Sequence, residues 1–194
     1  HLQPSGSLRP LLVQVGNVRY LQFDNVDDYY NPITTLDNVF AGTTPFTNVA
    51  SVARVGAAAN FGMHRHLNAT SPSVSQVEIF TTSTGILQAV RRIAGVNVPA
   101  TTAAGIFVPG TPRILGHAYL GVASVMGFDA DLTTTSGPDS VSYPAAPGTG
   151  YGGFQLVAPG PNDNLRYYGG LLYNRVADTP EYTAIAQYLM SHWT

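Results

Sequence analysis

The chain has 194 residues, 44% of them hydrophobic, which suits one domain, residues 1–194, with a sizeable core. Only 10% of residues are Asp, Glu, Lys or Arg, every basic residue is Arg, and the net charge is -2, so the basic footprint of a nucleic-acid binder is missing. The absence of cysteine excludes disulfides and thiolate metal sites, and no apolar run reaches the roughly 20 residues of a transmembrane helix.

Leu11 to Val15, then Gly16-Asn17, then Val18 to Phe23 reads as a hairpin, with Gly16 able to take the positive φ of a type II′ turn. Asn48 to Asn60 carries a weak helical pattern, and Gln76 to Thr81 reads as a strand. Thr84 to Ala94 reads as a helix with Gly95 just past its end. Gly105 to Val108 follows as a short strand, then Gly116 to Met126 as a second weak helix. The Val, Ala and Gly content of the two weak helices equally suits buried strands. Thr133 to Gly153 is expected to be a long ordered loop or a surface arm, followed by strands at Gly153 to Val157 and Arg166 to Tyr173.

The C-terminal segment has the fullest signal. Thr179 can cap, Pro180 fits the first turn, and Glu181 faces the positive end of the helix dipole. Tyr182, Ile185, Ala186, Leu189 and Trp193 then recur on one helical face. Together these elements predict an α+β fold with a β-rich core, sandwich or barrel-like, a C-terminal helix and one to three further short helices.

Gly62-Met63-His64-Arg65-His66 is the sharpest local motif, because alternating histidines on a strand share a face and two such rings can hold one metal. With Glu78, Gly85, Pro109-Gly110 and His117 it resembles the two cupin motifs, although eleven residues separate His66 from Glu78. The resemblance implies a small β-barrel enzyme in which His64, His66, Glu78 and His117 bind a divalent metal. His1 is similar to the N-terminal copper-binding histidine of lytic polysaccharide monooxygenases. A chain that opens without Met is expected to be processed or a fragment.

Asp129 and Asp131, like Asp24, Asp27 and Asp28, lack calcium-loop spacing and read as solvated turns. Asn68-Ala69-Thr70 fits the glycosylation sequon, on a flank that looks like an exposed loop. Gly121 to Val125 lacks the second Gly of a nucleophile elbow, and no Ser-His-Asp set follows from spacing. Eleven Tyr in a charge-poor chain suit interfaces and carbohydrate or receptor contact. The leading expectation is therefore a non-enzymatic structural or recognition domain without a cofactor. It would be a coat, spike, filament or extracellular surface subunit, located outside the cell or on an assembled particle and acting through self-association as a homo-oligomer.

Overall fold

In the computed structural model, Leu11–Val15 (β1) and Val18–Gln22 (β2) form the expected hairpin, and Gly16 at its turn has φ +61°. The structure describes residues 10–23, 40–56, 61–70, 73–143, 153–155 and 165–193, except for the side chains of 61–70, 73–75 and 153–155. Ten further strands follow: β3 (Phe46–Arg54), β4 (Phe61–Thr70), β5 (Ser73–Thr81), β6 (Leu87–Ile93), β7 (Val96–Thr101), β8 (Pro112–Tyr119), β9 (Ser124–Phe128), β10 (Asp131–Thr135), β11 (Gly153–Gln155) and β12 (Leu165–Tyr173). They pair antiparallel in two sheets, one of seven strands in the order β1-β2-β12-β3-β8-β9-β10 and one of five in the order β11-β4-β5-β6-β7. The core is a β-sandwich. A twelve-residue α-helix, α1 (Thr179–Met190), lies at the C-terminal end, followed by a 3-10 turn over Ser191–Trp193.

Side-chain alternation explains how the layers assemble. Ala50 and Val52 of β3, Leu115 of β8, Met126 of β9, Ile79 of β5 and Leu87 and Ala89 of β6 are buried together between the sheets. Val49 of β3 and Ile114 of β8 point the other way, onto Tyr182, Ile185, Ala186 and Leu189 of α1. Both faces of β3 are covered, so all nine of its residues are buried. A strand covered on both faces loses the alternation that would reveal it in sequence, which is why Asn48 to Arg54 imitated a helix.

Of the other two helical patterns, Thr84 to Ala94 is corrected, and Gly116 to Met126, left open between helix and buried strand, is strand. Thr84 to Ala94 contains β6, whose inward positions Leu87, Ala89, Arg91 and Ile93 are all buried. The inward Arg disguised that alternation. Ala94 and Gly95, at φ 47° and 88°, form the two-residue turn into β7 and not the end of a helix. Gly116 to Met126 spans the end of β8 and the start of β9.

Gly116 lies opposite Gly127 in that pair, and the ring of Tyr182 from α1 rests on both. A Cβ added at Gly116 would stand 2.6 Å from that ring, so glycine there serves the approach of the helix. Gly105 to Val108 is not a strand, although Phe107 within it is fully buried.

Asp178, not Thr179, caps α1, its carboxylate accepting from the Glu181 N–H at 2.9 Å. The predicted apolar face holds. Tyr182, Ile185, Ala186 and Leu189 are buried, and Trp193, half-buried in the 3-10 turn, donates its indole N–H to Ser51 Oγ at 2.8 Å.

Candidate functional site

The four proposed metal ligands occupy different layers. Val77 and Ile79 of β5 point into the core, so Gln76 and Glu78 project from the opposite, outer face of the five-stranded sheet. There the Gln76 amide donates to Glu78 Oε1 at 2.6 Å, and both residues are buried. In the strand register His66 of β4 is opposite Val77, and a bulge places the consecutive residues His64 and Arg65 opposite Glu78. The backbone of the His-x-His motif thus runs beside Glu78, but the bulge interrupts the strict alternation on which a shared face for His64 and His66 depends.

His117 enters from the other sheet. It points inward from β8, fully buried, with Nε2 2.9 Å from Ser124 Oγ and its ring edge-on to Phe46. Burial pushes the imidazole down to about 3, opposed by the Glu78 main chain and reinforced by the Arg91 charge, so the ring is neutral. The Glu78 carboxylate and the His117 ring therefore stand on opposite faces of β5 and do not converge. Among the described residues, no group of three His, Cys, Asp or Glu could hold a metal ion.

The remaining ionisable groups brace the fold. Arg91 reaches from β6 into the end of the core. There it donates to Asp139 Oδ1 at 2.9 Å and to the Gly42 carbonyl at 2.6 Å, its guanidinium 4.2 Å from the Tyr119 ring centre. Tyr119 in turn donates to the Asp139 carbonyl at 2.7 Å, and Gly42 bridges to Tyr143. The start of the Thr133 to Gly153 stretch is thus strand β10, and the segment from Ser136 to Tyr143 is an ordered strap locked by this network.

Arg113 pairs with Asp129 at 2.7 Å in the β9–β10 turn, which accounts for one member of the Asp-x-Asp pair. Arg175 pairs with Glu181, which holds that carboxyl below its usual range. Arg54 is buried over Phe107, its Nε and Nη1 without a hydrogen-bond partner among the described residues, and burial lowers its pKa.

Sequence reasoning missed a surface. Leu11, Val13 and Val15 of β1 share a face with Tyr20 of β2, whose ring lies 5.4 Å from that of Tyr168, itself 6.4 Å from Trp193. Leu11 and Val15 are 66% and 64% exposed, and on the opposite face Leu12 is 68% exposed. The clue available in sequence was a hairpin strand, Leu11 to Val15, with no charge on either face. Asn68 belongs to β4, opposite Ser75, and not to a loop. His1, Asp24, Asp27 and Asp28 lie outside the described residues.

The fold defines a class, an antiparallel two-sheet β-sandwich carrying a helix on the outer face of its larger sheet. No protein-family model and no curated protein sequence matches the chain. Among solved structures, the binding domain of botulinum neurotoxin DC, in complex with rat synaptotagmin II, is similar at TM-score 0.64 and 9% identity, over 93% of this chain and 45% of that one. Trypanosoma rangeli sialidase in complex with sialic acid is similar at TM-score 0.59 and 14% identity, over 90% and 28%. A leech intramolecular trans-sialidase gives 0.60 and 12%, over 81% and 27%. At such identities the likeness is one of fold, and this chain spans less than half the length of each neighbour.

Proposed function

We propose that the chain is a non-enzymatic structural or recognition domain, a coat, spike, filament or extracellular surface subunit that associates with copies of itself and contacts a carbohydrate or protein receptor. The observation that carries this reading is the use made of the charged side chains. Arg91–Asp139, Arg113–Asp129 and Arg175–Glu181 join strands, turns and helix to one another, and the buried His117 is neutral. What the surface offers instead is apolar and aromatic: Leu11, Leu12, Val15, Val96, Val122 and Tyr188 are each more than half exposed. The receptor part of the reading draws on the neurotoxin binding domain seen with synaptotagmin and the sialidase seen with sialic acid.

The metal-dependent alternative gains little support from the placement of its residues, because Glu78 and His117 face apart. Sedimentation at micromolar concentration tests the proposal. We expect a dimer or larger assembly that survives about 1 M salt, where the Debye length is roughly 3 Å, because apolar contacts and not ion pairs would hold it. A monomer at every salt concentration would remove self-association from the reading.

A further inference from the structure

Among the described residues the two sheets end in four edge strands, β1 and β10 in the larger and β11 and β7 in the smaller. An open edge presents unpaired N–H and C=O groups, and proteins blunt such edges with bulges, charges, proline or short length. Three of the four carry such a device. β10 begins at Asp131 and has a register shift between Leu132 and Thr134. β7 contains Pro99, which has no N–H to offer, and β11 is three residues long. β1 carries none: its sequence Leu-Leu-Val-Gln-Val has no charge, no proline and no bulge in its pairing with β2, and it is exposed on both faces.

We propose that β1 is a homotypic docking edge, where a second copy of the chain adds its own β1 antiparallel about a two-fold axis and joins two larger sheets into one. The proposal rests on the self-association reading and specifies where that association occurs. A second copy is favoured because the strand is complementary to itself in the register that pairs all five of its residues. A two-residue hairpin loop closes on a hydrogen-bonded pair, here Val15 and Val18, so the N–H and C=O groups of Val15, Val13 and Leu11 face β2. Those of Leu12 and Gln14 face the open edge.

Antiparallel pairing through Leu12 and Gln14 places Leu12 opposite Gln14 of the copy and centres the axis on Val13. Leu11 then meets Val15 of the copy, Val13 meets itself, and Val15 meets Leu11, giving three apolar cross-strand pairs on one face. That face continues into Tyr20, Tyr168 and Trp193 in each copy, so the apolar strip crosses the junction uninterrupted. With no charge in the strand, the copies do not repel each other there.

The absence of native cysteine makes the register directly testable. Residues facing each other in a non-hydrogen-bonded antiparallel pair have Cα atoms about 4.5 Å apart, inside the roughly 4.4–6.8 Å span of disulfides. Under mild oxidation Val13→Cys is expected to give a covalent dimer, whereas Leu12→Cys, facing Gln14 of the copy, is not. Leu12→Pro removes only an outward N–H, and Leu12→Lys adds a charge at the junction. Each is expected to weaken dimerisation roughly tenfold or more while leaving the thermal transition of the fold in place. If the wild-type protein associates but neither Leu12 variant weakens it and Val13→Cys yields no covalent dimer, the edge assignment is overturned and self-association stands. A monomeric wild-type protein overturns both.

Discussion

At the scale of single residues, the side chains that shape this protein are mostly those whose chemistry the fold suppresses. His117 is the clearest case, since its folded pKa of about 3 lies well below the ordinary histidine value of 6.5. Between those values the unfolded chain binds a proton that the folded chain refuses, so stability falls as pH drops from about 6.5 toward 3. With each unit worth roughly 1.4 kcal/mol, the loss is of the order of several kcal/mol at the acid end. Chemical denaturation at pH 7 and pH 4 is expected to show this loss in the wild type, and a smaller one in a His117→Asn variant. Gly116 acts by its lack of a side chain. Gly116→Ala would drive a Cβ into the Tyr182 ring and is expected to cost about 1–3 kcal/mol, measured as a lowered melting temperature.

Among whole elements, α1 tests the packing most directly because Tyr182, Ile185, Ala186 and Leu189 are buried with Val49 and Ile114 on the larger sheet's outer face. Leu189→Ala is expected to destabilise by about 2–5 kcal/mol once the cavity is included, and an unchanged denaturation midpoint would show that this face carries no load. The helix was legible in sequence because a proline, an acidic first turn and a 3.6-residue period agree there. The first hairpin was legible because Gly-Asn separates two β-branched runs. The strands with helical patterns have separate causes: β3, left open between helix and buried strand, is covered on both faces, and β6 buries an arginine where alternation calls for an apolar residue. The His-x-His motif lies on a strand whose bulge no local pattern announces, and the side from which His117 approaches depends on a sheet-to-sheet packing that the sequence does not encode locally.

Across the whole molecule, the Arg91–Asp139 pair joins the smaller sheet to the strap after β10, with both side chains almost completely buried. Removing one partner leaves an uncompensated charge in the core, so Arg91→Met is expected to cost about 3–5 kcal/mol, and Arg91→Met with Asp139→Leu to recover part of that loss in the same denaturation assay. The larger sheet has a further property that lies in its order. β12 sits between β2 and β3, and Gln22 of β2 reaches the Leu165 carbonyl 143 residues away. On the ribosome, the first hairpin therefore emerges well before β12, its neighbour in the larger sheet, and that side of the sheet closes only after residues 24–164 have been made.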